Sequence, residues 1–289
     1  MNAFLDQGQP VNEIIEPINR YFHNPIAARI VKVLKDTWAT PDQVTYVSVF
    51  IGSVAAYNFS SGTTQSFFLA GLLLELVMIL DCVDGQLARA KNCASDWGRL
   101  LDGIAGYIIY LAVLIGIMVG LNKYCGALIA IGVLTILRAI SYDYCKLTMI
   151  TMIQTGYDGN QKEILDTYLK ISKNSSTILK VYFYYLQFQR FIFCGRFSNL
   201  NRFDKNNDSI YKYSILTSDQ RESYRKKNRT LMTVWSWNGV DLPIFLLVLI
   251  SIFGTQAFFF TPLAFLLVVQ FLLTMIYHRM RYRSFLNIK

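Results

Sequence analysis

Charged residues are scarce in this chain. They make up 16% of its 289 residues, whereas about a quarter is usual in a soluble domain. The deficit is concentrated in discrete stretches, and 53% of all residues are hydrophobic. A membrane-spanning helix needs about 20 predominantly apolar residues, which several of these stretches supply. The composition therefore favours an integral membrane protein over a soluble one.

Histidine and closely spaced cysteine pairs are scarce as well. The only two histidines, His23 and His278, lie far apart in the sequence, and the five cysteines form no CxxC pair. The distance between the histidines argues against a zinc site. Most of the cysteines fall in apolar stretches or in segments expected in the cytoplasm, so reduced thiols are expected. The first forty residues also lack the apolar core of a cleavable signal peptide. The net charge of +9 favours an anionic lipid leaflet over nucleic acid as a partner.

Six apolar stretches have the length of a transmembrane helix. They are residues 43–59, 65–81, 101–121, 125–145, 232–253 and 256–277. The connections 60–65 and 254–256 contain no basic residue, whereas Lys and Arg are concentrated in the longer polar segments. The positive-inside rule therefore predicts that both termini and the 82–100 loop are cytoplasmic. We expect an all-α integral membrane fold, a bundle of six transmembrane helices.

The predicted spans divide the chain into four regions. Residues 1–40 form an N-terminal cytoplasmic region whose segment 13–36 has the pattern of an amphipathic, basic helix in the membrane interface. Residues 41–145 contain spans one to four, and residues 231–289 contain spans five and six with a basic tail. Between them, residues 146–230 form a cytoplasmic insertion. Its aromatic residues from Tyr182 to Phe193 favour anchoring at the membrane interface.

The most informative segment reads DCVDGQLARAKNCASDWGRLLD and extends from Asp81 to Asp102. On a helix Asp81 and Asp84 share one face, and Gly98 and Asp102 share a face at the start of the next span. Two neighbouring helices can thus direct three carboxylates towards one point, whereas Asp96 is expected in the connecting loop. Carboxylates are costly to bury beside lipid, so such a cluster indicates a functional site. Hard carboxylate oxygens suit Mg²⁺, Mn²⁺ or Ca²⁺.

Small residues and one arginine complete this segment. Gly85, Ala88 and Gly98 leave the shared face free of large side chains. Arg89 adds a positively charged guanidinium group that can bind two phosphate oxygens at once. Taken singly, each residue has a structural interpretation as an interfacial charge, a helix-start charge or a packing glycine. The ordered combination favours a divalent-metal and polyphosphate site at the cytoplasmic edge of the bilayer.

The segment resembles the signature of the CDP-alcohol phosphotransferase family, DxxDGxxAR-x8-GxxxDxxxD, and covers about a tenth of the chain. That family transfers a phospho-alcohol group from a CDP-linked alcohol, such as CDP-diacylglycerol, to an acceptor alcohol in phospholipid synthesis. It releases CMP and requires Mg²⁺ or Mn²⁺. The resemblance implies a homodimer and implies that Asp81, Asp84 and Asp102 are metal ligands. It implies a CDP site formed by Asp81, Gly85, Ala88, Arg89 and Gly98.

The chain departs from the signature at its last position. The family has an aspartate four residues after Asp102, and this chain has Gly106. In the family that carboxylate takes the proton of the acceptor hydroxyl, and such general-base help contributes about 10²–10⁴-fold. Glycine therefore predicts a severe loss of transfer. Three explanations stay open: an inactivated variant of an enzyme, a natural non-catalytic relative, or catalysis by another carboxylate or a metal-bound hydroxide. The alternative function is a non-catalytic membrane partner that binds CDP-lipid and metal.

Other ionisable residues fall within the predicted spans and are expected to face the interior of the bundle. They are Glu75, Arg138, Asp143 and Asp241. Arg138 is a candidate for holding a phosphate of the acceptor. Equally, Arg138 would form a structural ion pair with Glu75 or Asp143.

Overall fold

A computed structural model describes residues 11–93, 95–173, 177–195, 197–198 and 216–286. A 3₁₀ turn at Asn12–Ile14 and a π-helical segment at Asn19–His23 come first. The α-helices that follow are α1 (Asn24–Leu34), α2 (Pro41–Ser60), α3 (Thr64–Ala90), α4 (Asp96–Leu121), α5 (Cys125–Gln154), α6 (Gly159–Lys173), α7 (Thr177–Cys194), α8 (Ser218–Ser236), α9 (Asp241–Ile252) and α10 (Gln256–Leu286). The described residues contain no strand, so the predicted all-α class is confirmed.

Five helical segments of the described chain are long and apolar enough to cross a membrane. They are Thr64–Ala90, Leu101–Leu121, Cys125–Gln154, Ser218–Ile252 and Phe258–Arg281. These segments correspond to five of the six predicted spans. The remaining stretch, 43–59, lies within α2, a helix of 20 residues whose Ser, Thr and Tyr side chains lower its hydropathy. Its crossing of the membrane stays a prediction.

Local capping signals determine where α2 and α4 begin. Thr40 Oγ1 accepts a hydrogen bond from the Gln43 N–H at 3.3 Å, and Gln43 Oε1 accepts one from the Thr40 N–H at 2.9 Å. This reciprocal pair satisfies two backbone donors at the start of α2. Ser95 Oγ similarly accepts a hydrogen bond from the Gly98 N–H at 2.9 Å. Because Ser95 is the cap, α4 begins at Asp96, and the expectation that Asp96 lies in the connecting loop was wrong.

The chain divides into two compact units. The motif unit consists of Ile15–Arg138 and Gly239–Leu272, and contains the aspartate segment. The insertion unit consists of Met1–Ile14, Ala139–Asn238 and Leu273–Lys289. The boundary between them falls within α5 and α10. This division differs from the four regions expected from the sequence, which remain a prediction about membrane topology.

The motif unit has an apolar core built from α2, α3, α4, α9 and parts of α5 and α10. Its fully buried side chains include Phe59, Phe67, Ile117, Leu128, Leu247 and Leu267. Helix α2 packs on both α3 and α4. Glycines at 116 and 120 allow α4 to approach α2 closely, because an added Cβ at either position would overlap a backbone carbonyl of α2. This packing holds the start of α2 next to the aspartate segment.

The N-terminal part of the motif unit packs on α3. Ala27 and Val31 of α1 contact Val83 and Leu87 in a small apolar cluster. The buried His23 precedes this cluster, with Nε2 at 2.9 Å from Glu75 Oε1 and Nδ1 at 2.9 Å from Asn19 Oδ1. His23 therefore links the N-terminal segment to the centre of α3. The position of α1 in the membrane interface stays a prediction.

Glu16 occupies the space left by Gly239 at the start of α9. A Cβ added at Gly239 would overlap Glu16 Oε1. The same oxygen accepts a hydrogen bond from the Asp241 N–H at 3.2 Å. The N-cap residue Val240 makes no side-chain capping bond, so Glu16 satisfies a backbone donor that α9 would otherwise leave without one.

Gly239→Ala is expected to lower the free energy of unfolding by about 1–3 kcal/mol, because the added methyl group must displace the buried Glu16 carboxylate. Thermal unfolding of the purified protein measures this effect. Gly126→Ala is the matched control, since a Cβ at that position meets nothing within 4 Å. The control should unfold at the wild-type temperature or above it. Equal unfolding temperatures for the two variants would contradict the close packing of the Glu16 carboxylate against Gly239.

Candidate metal and nucleotide site

Helices α3 and α4 bring the three predicted metal ligands into one region of the motif unit. Asp81 and Asp84 lie one turn apart near the end of α3, and Asp102 lies in the second turn of α4. Asp81 and Asp102 interact electrostatically with each other. Asp84 interacts electrostatically with both of them. The three side chains thus form one acidic cluster, and their role as ligands stays a prediction.

Asp84 is the buried member of the acidic cluster. It is 5% exposed, whereas Asp81 is exposed and Asp102 is half-buried. Asp84 Oδ2 accepts a hydrogen bond from Thr45 Oγ1 of α2 at 2.7 Å. A buried carboxylate needs such a donor to offset its loss of water. Thr45 was missed by the sequence analysis, because nothing in the sequence pattern connects the first turns of α2 with the end of α3.

The acidic cluster suits a hard divalent cation in its chemistry. The Asp81 and Asp102 carboxylates repel each other when both are ionised, and a cation between them would remove that repulsion. Asp84 is turned towards Thr45. Within the described ranges, no group of three or more His, Cys, Asp and Glu side chains is already arranged as a metal cage. The hard carboxylate oxygens of these three side chains fit Mg²⁺ or Mn²⁺ in their chemistry.

An open, positively charged surface adjoins the acidic cluster. An ideal Cβ at Gly85 would lie 3.7 Å from Arg89 Nη1, so the guanidinium lies over Gly85. Arg89 is exposed and interacts electrostatically with Asp84. Ala88, on the same part of α3, is half-buried. Because neither Gly85 nor Ala88 carries a large side chain, the guanidinium is accessible to phosphate oxygens.

The first turn of α2 contributes a further carboxylate beside α4. An ideal Cβ at Gly98 would lie 3.2 Å from Ser95 Oγ and 3.5 Å from Asp42 Oδ1. Asp42 is not among the site residues that the sequence predicts. Asp42 and Thr45 together show that the start of α2 forms one wall of the candidate site.

Gly106 lies one helical turn beyond Asp102 on α4. The residue is exposed, its φ is not positive, and a Cβ added there meets nothing within 4 Å. Neither packing nor backbone conformation therefore requires glycine at this position. A Cβ would fit here without displacing a neighbour, and a chemical consequence of Gly106 stays a prediction.

Arg138 of α5 is fully buried in the motif unit. Its Nη1 donates a hydrogen bond to Gln270 Oε1 of α10 at 3.0 Å, and it interacts electrostatically with Glu16. Glu75, one of the two expected ion-pair partners, is instead paired with His23. The role of Arg138 in holding an acceptor stays a prediction.

Thr45→Val is expected to weaken binding of Mn²⁺ by about 10–100-fold, because Asp84 loses the hydroxyl that orients its carboxylate. Titration of free Mn²⁺, followed by its electron paramagnetic resonance signal, measures the affinity. Thr45→Ser keeps the hydroxyl and should bind Mn²⁺ as the unaltered chain does. An equal loss in both variants would mean that retaining the hydroxyl does not preserve the affinity and would contradict the positioning role.

Comparison with known proteins identifies the family of this chain. Residues 38–194 match the CDP-alcohol phosphatidyltransferase family, and this match covers more than half of the chain. It includes the aspartate segment and the start of α2. The chain therefore belongs to the CDP-alcohol phosphatidyltransferase family.

Curated relatives match a shorter part of the chain. Archaetidylinositol phosphate synthase of Pyrococcus horikoshii is 36% identical over 92 residues, which are 32% of this chain and 47% of that protein. The bifunctional IPC transferase and DIPP synthase of Thermococcus kodakarensis is 36% identical over 87 residues, 30% of this chain and 19% of that protein. Its namesake in Archaeoglobus fulgidus is 36% identical over 94 residues, 32% of this chain and 17% of that protein. The match thus spans about half of the first relative and less of the others.

Proposed function

We propose that this chain is a membrane-embedded transferase of phospholipid synthesis. It transfers a phospho-alcohol group, most simply a phosphatidyl group, from a CDP-linked donor to an acceptor alcohol and releases CMP. The observation that carries this proposal is the acidic cluster of Asp81, Asp84 and Asp102, with the open guanidinium of Arg89 next to Asp84. Paired carboxylates suit a divalent ion, and a guanidinium suits the diphosphate of the donor.

The residues of the site have separate roles in binding the donor and the metal. A bound Mg²⁺ or Mn²⁺ would neutralise the diphosphate and stabilise the leaving CMP. Asp81, Asp84 and Asp102 would hold it, and the Thr45 hydroxyl orients Asp84. Arg89 binds phosphate oxygens. Along the CDP site, the small residues Gly85, Ala88 and Gly98 let the donor approach the helix backbones.

The acceptor hydroxyl must lose its proton as it attacks the phosphorus atom. Gly106 has no group that accepts this proton, and general-base help is worth about 10²–10⁴-fold. Transfer by this chain is therefore impaired at the step of acceptor activation, while binding of CDP and metal is retained. Arg138 is proposed to hold a phosphate of the acceptor in the interior of the motif unit.

The proposed topology has six spans, with α2 as the first. Both termini and the candidate site lie on the cytoplasmic side, because Lys and Arg are concentrated in the segments assigned to that side. The segment before α2 lies in the membrane interface, and two copies of the chain form a homodimer. Accessibility of single cysteines to an impermeant reagent in right-side-out vesicles tests this orientation.

The test of the proposed function is CMP release by the purified chain with Mg²⁺ or Mn²⁺. The donors are CDP-diacylglycerol and small CDP-linked alcohols. The acceptors include an inositol phosphate, chosen because one relative is named an archaetidylinositol phosphate synthase. We expect slow release that requires both the metal and an acceptor. Absence of both CDP binding and CMP release for every donor would overturn the proposal.

A second function follows from Gly106 itself. The open space at this position means that glycine was not required by packing, which favours a non-catalytic membrane partner that binds CDP-lipid and metal. Such a protein would bind CDP in the presence of Mn²⁺, and no donor would release CMP even after a carboxylate is restored at position 106.

A further inference from the structure

Helix α7 of the insertion unit has one buried and one exposed face. Arg190 is 4% exposed and lies on the buried face with Leu186 and Phe193. On the opposite face, Tyr184 is 71% exposed and Phe188 is 59% exposed. At about 3.6 residues per turn, the exposed side chains form one continuous surface. This surface, the aromatic stripe, consists of Val181, Tyr184, Tyr185, Phe188 and Phe191.

The buried face of α7 is fixed against helices that cross the membrane. The Phe193 ring stacks on Tyr144 of α5 with centroids 4.7 Å apart, and its carbonyl oxygen accepts a hydrogen bond from His278 Nε2 of α10 at 3.4 Å. The Tyr144 hydroxyl also lies 3.2 Å from Cys194 Sγ. Phe193 was expected among the anchoring aromatic residues, and that expectation was wrong because these contacts bury it.

These contacts lie where the two spans are expected to leave the hydrocarbon. About 20 residues cross the bilayer, and that length ends near Tyr144 when it is counted from Cys125, the start of the span in α5. Counted from Phe258, the start of the span in α10, it ends near Tyr277. Arg279 follows at once, and its Nη1 lies 3.5 Å from an ideal Cβ at Gly195, directly after α7. We therefore expect the end of α7 to lie at the level of the membrane surface.

The composition of α7 indicates what covers the aromatic stripe. The helix contains Lys180 and Arg190 but no Asp or Glu, and Lys180 is exposed next to the stripe. Tyr184 and Tyr185 combine an apolar ring with a hydroxyl, which suits the headgroup region. An exposed lysine without nearby acidic residues on its helix favours anionic lipid. A helix face exposed to water would rarely carry five large, mostly apolar side chains next to one another.

We propose that α7 lies in the membrane interface with its aromatic stripe in contact with lipid. The insertion unit is then docked on the bilayer by a surface of its own, in addition to the spans that cross it. The partner is the anionic bilayer in which the protein is embedded. This interaction is independent of the transfer reaction and of the residue at position 106.

Nitroxide spin labels on single cysteines test this proposal. The background carries Cys93→Ser and Cys125→Ser, which remove the two exposed thiols. Labels are placed by Tyr184→Cys and Phe188→Cys on the aromatic stripe. Ser223→Cys is the control, an exposed position in the charged first half of α8 within the same unit. The protein is studied in nanodiscs of phosphatidylcholine and phosphatidylglycerol, and power saturation measures collisions with oxygen and with a water-soluble nickel chelate.

Labels at positions 184 and 188 should have a several-fold higher ratio of oxygen to nickel accessibility than the label at position 223, because oxygen concentrates in lipid and the chelate does not enter it. Equal ratios at the three positions would overturn the proposal. Spectral broadening at 184 and 188 that disappears on dilution with unlabelled protein would overturn it as well, since a second copy of the chain would then cover the stripe.

Discussion

Gly106→Asp is expected to raise the rate of metal-dependent CMP release by about 10²–10⁴-fold over the unaltered chain. The substitution places a carboxylate one helical turn beyond Asp102, on the same face of α4. Its Cβ meets no neighbour, because nothing lies within 4 Å of a Cβ at position 106. The gain should appear in kcat with a small change in the KM for the donor, since the carboxylate acts on the acceptor hydroxyl. Initial rates of CMP release at saturating acceptor measure this effect.

Gly103→Asp is the matched control for this experiment. Position 103 lies on the same helix and is also exposed, and a Cβ there also meets nothing within 4 Å. It is one residue from Asp102 and hence on a different face, so no gain in rate is expected. An equal gain from both substitutions would mean that added negative charge, not a placed base, produces the effect.

The possible results for the unaltered chain and the Gly106→Asp variant separate the explanations of this position. Release only by the variant identifies an enzyme whose general base is missing. Equally fast release by the unaltered chain would contradict the need for a carboxylate at position 106 and would favour another group as the base. CDP binding without release by either protein would identify a non-catalytic binding protein.

The helices and most of the spans could be predicted because their signals are local. Apolar length predicts a span, and an amphipathic pattern of apolar and basic residues predicts the helix before α2. The prediction was weakest for the segment 43–59, where Ser, Thr and Tyr reduce the hydropathy of α2. The start of α4 was placed too late, because Ser95 caps the helix before its apolar residues begin.

Only part of the candidate site could be predicted in the same way. Asp81, Asp84 and Asp102 occur on consecutive helices, so helical spacing alone brings them towards one region. The contact of Thr45 with Asp84 joins residues 39 positions apart and depends on how α2 packs on α3. The periodicity of apolar residues in a sequence does not reveal how one helix packs on another. The buried and exposed faces of α7 could not be distinguished from the sequence for a similar reason. Both faces carry aromatic residues, and only the tertiary contacts of Phe193 show which face is buried.

Asp84→Ala is expected to abolish metal-dependent binding of CDP, with a loss of at least about 100-fold in affinity. Removal of a residue that only supports a metal ligand costs about 10–100-fold, so removal of the ligand itself should cost no less. The dissociation constant for CDP, measured by calorimetry with and without Mn²⁺, gives the effect. Asp36→Ala is the control, because this exposed carboxylate lies in the same unit and pairs only with solvent-facing Lys35 at 3.8 Å.

Asp84→Asn separates the charge of this residue from its packing. The amide has the shape of the carboxyl group, and its oxygen still accepts the hydrogen bond from the Thr45 hydroxyl. It carries no negative charge for the cation. If Asp84 is a metal ligand, the Asn and Ala variants should lose Mn²⁺-dependent CDP binding to a similar extent. Binding that survives in the Asn variant and fails only in the Ala variant would assign Asp84 a structural role, because shape and hydrogen bonding would then account for the whole effect.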